Sequence, residues 1–294
     1  MPTEFAGPDP REIFAYGFMQ NAFVAGTMVA IMGGVIGYFV VLRSLSFAAH
    51  ALSHIGFAGA TGAVLVGTAP IVGLLVFTMS AGAVMGALGQ RLRGRDVTIG
   101  LVMAWSLGLG LLFTRLYKGS ANLAIGILFG QIFGITGQDV AVTFVAGLVT
   151  VLFVLAVYRP LLFATLDEEV AEAKGVPVRG LSIAFMVVLA VAVSEAVQVV
   201  GVLLIFALIV APAAVAERFT TRPSRGVLLA AILAVLFTWA GLAIAYYLPY
   251  PVGFFITTIA FWSYILARVL SGVIARRATG RVRPWREEQV RHSP

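Results

Sequence analysis

Charged residues punctuate this chain, and what lies between them is almost entirely apolar. Runs free of Asp, Glu, Lys and Arg cover 13–42, 44–90, 97–114, 119–138, 140–158 and 226–267, and 180–216 is interrupted only by Glu195. A helix of about 18 or more apolar residues crosses a hydrocarbon core of about 30 Å, so the pattern predicts membrane spans. Two runs are long enough for a pair of spans each. They break at Gly67-Thr68-Ala69-Pro70 and at Pro249-Tyr250-Pro251, because glycine and proline favour turns over continued helix.

Orientation follows from the basic residues, which concentrate on the cytoplasmic side of membrane proteins. Arg91, Arg93 and Arg95, then Arg218, Arg222 and Arg225, then the tail from Arg276 to Arg291 supply these anchors. For 140–158 to return to a cytoplasmic Arg159, the run 119–138 must not cross, so it reads as a re-entrant or interfacial helix covered by its neighbours. The same parity makes 180–216 cross twice, with Glu195 at the outer turn. The sum is an all-α, polytopic transmembrane protein of about nine spans, or eight to ten if either of these two runs is counted differently. The N-terminus lies outside and the C-terminus inside. Residues 1–12 form a polar N-terminal segment, 13–271 the transmembrane domain and 272–294 a basic cytoplasmic tail. The first span directs insertion, since the N-terminus lacks the basic start and cleavage pattern of a signal peptide.

Composition narrows the function. Hydrophobic residues make up 60% of the 294 and charged residues 11%, against about 25% charged in a soluble domain, which excludes a water-soluble fold. The net charge of +7 comes from Lys and Arg in loops, where it sets orientation; nucleic acid is not a partner. Without cysteine there is no disulfide or thiolate centre, so metal chemistry must use His, Asp, Glu or neutral oxygens.

The second span carries the most informative polar residues. At about 100° per residue, Ser46, His50, Ser53, His54 and Thr61 fall within an arc of about 100°. Polar groups inside a membrane are costly and mark function. His50 and His54 are i,i+4 neighbours that can point both imidazoles at one ion; the competing reading is that each hydrogen-bonds a neighbouring helix. Haem is disfavoured, because two histidines one turn apart cannot clamp it from opposite faces. Two ligands do not close a metal site, which suits an ion that must both bind and leave. Glu195 either draws cations to the mouth of the path or is a solvated turn residue. The run Asp167, Glu168, Glu169, Glu172, ending at Gly175 and Pro177, predicts a short helix with an acidic first turn, either solvated or docked in a groove of a cytoplasmic subunit. Hydrolytic signatures and a phosphate-binding glycine loop are missing; the chain is not expected to be an enzyme, and any ATP is handled by a partner.

The stretch Leu42-Arg43-Ser44-Leu45-Ser46-Phe47-Ala48-Ala49-His50-Ala51-Leu52-Ser53-His54 resembles the second-helix motif of the ABC-3 family, the permeases of zinc, manganese and iron ABC importers. Gly94-Arg95-Asp96-Val97-Thr98-Ile99-Gly100 is similar to the family's loop between its third and fourth spans, Leu166–Pro177 to its coupling helix, and Val200–Ala214 to its late hydrophobic signature. The resemblance covers roughly residues 15–270. It implies a permease dimerised with a second permease subunit in a bacterial plasma membrane, two cytoplasmic ATP-binding subunits, and an extracytoplasmic metal-binding protein. It also implies metal contact at His54 and, by position, at His50, and ATPase coupling through Asp167, Glu168, Glu169, Glu172 and Gly175; on the transporter reading the polar stripe lines the path with Ser46, Ser53 and Thr61, and Glu195 stands at its mouth. Zinc or manganese is then the transported substrate, and no cofactor is held permanently. The family commonly carries aspartate where this chain has His50. Imidazole in place of a carboxylate favours zinc over manganese, so zinc is the expected ion, carried in an ATP-driven process; the alternative is a secondary transporter driven by an ion gradient.

Overall fold

The computed structural model describes residues 10–88, 95–117, 122–202 and 204–279. These form twelve α-helices and no strand: α1 (Gly17–Leu42), α2 (Ser46–Leu65), α3 (Pro70–Leu88), α4 (Arg95–Leu116), α5 (Asn122–Phe129), α6 (Gly137–Ala156), α7 (Tyr158–Leu166), α8 (Glu168–Ala173), α9 (Val178–Val200), α10 (Ile205–Phe219), α11 (Pro223–Tyr247) and α12 (Val252–Thr279). The helix breaks fall where glycine and proline placed them. Gly67 takes φ +79° just before Pro70 opens α3, and the Pro249–Pro251 segment separates α11 from α12.

Two helices form the centre. Helix α1 packs against α6, α9, α10 and α11, and α9 packs against α1, α2, α3 and α6. Small residues allow the close approaches that membrane helices rely on. Gly34 lies on the backbone of α11 at Ala231, Gly37 on the Ile209 carbonyl of α10, and Gly59 of α2 faces Gly73 of α3.

Seven described helices, not nine, are long and apolar enough to cross a membrane on their own: α1, α3, α4, α6, α9, α11 and α12. The other two expected crossings are α2 and α10, and each falls short for its own reason. The polar stripe of α2 lowers its hydropathy, and α10 has 15 residues, about 22 Å of helix. Both are held among other helices, α2 by α3, α4 and α9, and α10 by α1, α11 and α12. The run 119–138 does not cross: α5 has eight residues, about 12 Å, followed by a 3₁₀ turn at Ile132–Gly134.

Helix α9 extends through Val200. Glu195 therefore lies within it, five residues before its end, and not in a solvated turn; it is 2% exposed. At the other face, α12 continues across the boundary expected at 271 as far as Thr279. Residues 1–9, 89–94 with Arg91 and Arg93, and 280–294 with His292 lie outside the described residues.

Candidate functional site

Helix α2 sets the two histidines about 6 and 12 Å from its start, on the arginine-bearing side. One helical turn separates them, and their Nε2 atoms converge to 3.3 Å. The rings are nearly perpendicular, at 89°, with centroids 4.7 Å apart. Phe206, in the first turn of α10, stands edge-on to His50 with centroids 5.5 Å apart. Two nitrogens each about 2.0–2.1 Å from one ion, at a tetrahedral angle, stand about 3.3 Å apart, so the pair has the bite of adjacent ligands on a single cation. Without an ion, one Nε2–H donates to the other nitrogen. Both Nδ1 atoms are buried and lack a hydrogen-bond partner, so neither ring has the outer carboxylate or carbonyl that fixes the tautomer in a resident metal centre. No group of three His, Cys, Asp or Glu gathers around an ion among the described residues.

The hydroxyls of the stripe act differently from the imidazoles. Ser53 is buried and donates to the His50 carbonyl at 2.7 Å. Thr61 is buried and donates to the carbonyls of Phe57 at 2.9 Å and Ala58 at 3.2 Å. Their protons satisfy the helix's own backbone. Ser46 is half-buried in the first turn. The structure thus brings His50 and His54 together and leaves the three hydroxyls strung along the helix.

A second polar group lies toward the opposite face, between α6 and α9. Thr143 donates to Glu195 Oε2 at 3.1 Å. One turn farther out, Gln198 Nε2 donates to Asp139 Oδ1 at 3.1 Å. Asp139 Oδ2 also accepts from the Thr136 backbone N–H at 3.0 Å and from its hydroxyl at 2.7 Å, closing a capping box at the start of α6. Asp139, Gln198 and Gln131 line a cavity of about 360 Å³ bounded by α3, α5 and α9. Asp139 and Gln198 escape the sequence reading because Asp139 serves there only to delimit two apolar runs. The signal available was spacing: Asp139 and Thr143 are i,i+4, and the facing Glu195 and Gln198 are i,i+3.

Between the cavity and the histidines runs a seam of backbone. Gly130, after α5, and Gly201, after α9, take φ +77° and +85°, a region that side chains disfavour. They touch so closely that a Cβ on either would meet the other's backbone. Val202 N–H donates to the Ile127 carbonyl at 3.3 Å, and Phe206 follows four residues later.

The acidic run folds as α8. Asp167 caps it, its Oδ1 accepting from Val170 N–H at 3.0 Å. Ala171 is buried, Glu168 is half-buried, Glu169 and Glu172 are exposed, and Gly175 turns the chain at φ +85°. Leu166, 72% exposed, and Val170 add an uncovered apolar edge beside these carboxylates.

Comparison with known proteins identifies the family. A manganese transport system membrane protein, MntC, of Halalkalibacterium halodurans is 29% identical over 274 residues, 92% of this chain and 94% of its own. The manganese import system permease protein ScaB of Streptococcus parasanguinis is 31% identical over 237 residues, 80% of this chain and 84% of its own. The solved structure of PsaBC from Streptococcus pneumoniae in complex with Fab superposes with a TM-score of 0.79 at 27% identity, over 87% of this chain and 93% of that one. The pattern of the ABC 3 transport family matches residues 15–271; the chain belongs to that family and is a multi-pass membrane permease.

Proposed function

We propose that this chain is the membrane subunit of an ATP-driven importer of a divalent transition metal in a bacterial plasma membrane. The observation that carries the reading is the His50–His54 pair, two Nε2 atoms 3.3 Å apart on a half-buried helix face. The metal is substrate, not cofactor, and nothing is held permanently. Two ligands without outer-shell partners bind an ion weakly enough to release it, and neighbouring oxygens or water complete its shell in transit. In this reading Ser46, Ser53 and Thr61 line the path, Glu195 lies along its outer part, and Asp167–Gly175 transmits motion from cytoplasmic ATP-binding subunits. An extracytoplasmic binding protein delivers the ion, and a second permease subunit completes the assembly, as the PsaBC likeness suggests.

Manganese is the leading ion because the named relatives are manganese systems, which shifts the preference away from the zinc expected from sequence. Zinc remains the second reading on one observation: both donors are imidazoles, which zinc accepts more readily than manganese does. Reconstitution with the ATP-binding and binding-protein partners tests the proposal. The His50→Ala/His54→Ala variant is expected to insert normally and lose metal uptake. Full uptake by that variant overturns the site, and robust uptake without ATP points to a gradient-driven transporter.

A further inference from the structure

The cytoplasmic turn between α10 and α11 holds a charge cluster that the transport path does not use. Arg218, Arg222 and Arg225 line a pocket of about 270 Å³ together with Thr220 and Thr221. Glu217 lines it too, leaving the turn with a net charge of +2. Arg218 is held in place: its guanidinium lies 5.5 Å above the Tyr264 ring of α12, and its Nη1 donates to Ser271 at 3.5 Å. Arg268, exposed on α12, shares the helical face of Tyr264 and Ser271, at i+4 and i−3. Pro223 opens the 25-residue α11, whose positive dipole end meets the turn.

Exposed apolar side chains adjoin these charges. Phe219 is 53% exposed, with Leu228 of α11 and Val269 of α12 uncovered as well. Cations directly beside lipid-facing apolar surface match a ligand with an anionic head and acyl chains. Basic pockets between helices on the cytoplasmic side of membrane proteins take such headgroups. We propose that the α10–α11 turn and α12 form a binding site for the phosphate of an anionic phospholipid, with Arg218, Arg222 and Arg225 on the headgroup and Phe219, Leu228 and Val269 along the chains.

The test is lipid retention by the purified full-length chain from vesicles of phosphatidylcholine and phosphatidylglycerol, read by native mass spectrometry. Each arginine at an anionic surface contributes about five-fold, so Arg218→Ala/Arg222→Ala/Arg225→Ala should lower retained phosphatidylglycerol at least about ten-fold and leave phosphatidylcholine unchanged. Equal retention by the variant overturns the site. Should that variant fail to insert, phosphatidylglycerol with a photoreactive acyl chain decides on the unaltered protein: labelling of the inner turns of α10, α11 and α12 supports the proposal, and labelling confined elsewhere overturns it. Displacement of the lipid by inorganic phosphate alone makes this a free-anion pocket. Displacement by the ATP-binding subunit makes it a protein contact. Either result overturns the lipid assignment.

Discussion

His50 differs from His54 in what surrounds it. Phe206 covers its edge, while its Nδ1, like that of His54, is buried without a partner. A ring so weakly tethered is replaceable by a shorter donor on the same face. His50→Asp brings a hard carboxylate next to His54 and should shift preference toward manganese, since hard oxygen suits manganese better than imidazole does. Uptake assays with the ATPase and binding-protein partners, using manganese with zinc as competitor, check this: the expected result is at least about a ten-fold weaker inhibition by zinc, about 1.4 kcal/mol of discrimination. Unchanged competition would mean that position 50 does not set selectivity. The histidine pair is legible in sequence because i,i+4 spacing puts two imidazoles of an otherwise uncharged stretch on one helical face. Asp139 is not, because a carboxylate at the edge of an apolar run looks the same whether it meets water or Gln198.

At the scale of elements, the run boundaries translate well into helices where a proline or glycine cluster marks them, as at Pro70 and Pro251. They translate poorly at 180–216, where the single charge suggests a turn at Glu195. The break instead comes at Gly201, whose positive φ is a backbone requirement that charge spacing does not carry. Gly201→Ala should destabilise the fold by about 1–3 kcal/mol, because it adds strain at φ +85° and a clash with Gly130. Thermal unfolding in detergent should show a lower midpoint, while Gly180→Ala, where nothing lies within 4 Å of a Cβ, should not. Helix α7 was unforeseen because Arg159 reads as the end of a span, yet Tyr158–Leu166 continues as helix after a one-residue bend at Val157. It ends at Leu166, whose exposure supports contact with another protein. Leu166→Glu should leave insertion and unfolding unchanged and reduce metal-stimulated ATP hydrolysis in the assembled transporter at least about five-fold, the loss of about 1 kcal/mol of apolar contact. Normal stimulation would remove this edge from the coupling surface.

For the whole molecule, the scarcity of charge does two jobs. It gathers most of the arginines on one face, Arg115 in the last turn of α4 being an exception, and it leaves broad apolar surfaces on α4, α6 and α12, where Trp105, Leu101, Val145 and Trp262 are exposed; these faces suit lipid or a neighbouring subunit. The fold class and the two-sided layout follow from that scarcity alone, whereas which helices lie inside depends on glycine contacts that no charge pattern records. The chain contains no cysteine, so single cysteines report sidedness cleanly. Thr68→Cys, in the α2–α3 turn, should react with an impermeant maleimide from outside intact cells, and Ser224→Cys, at the start of α11, only after the membrane is opened. The reverse pattern would invert the topology.

The shortness of α10 has a consequence for assembly. Fifteen residues leave about 8 Å of a 30 Å hydrocarbon layer uncrossed by helix; Gly201 N–H still donates to the Val197 carbonyl of α9 at 2.9 Å, and beyond it the Val202 N–H finds its partner outside both α9 and α10. Each amide left unsatisfied in hydrocarbon would cost several kcal/mol. The Ile127 carbonyl and the turn after α5 supply that contact. Helix α5 crosses nothing, but it stands in for the solvent that this stretch lacks, so the depth of α10 depends on α5 being docked beside it.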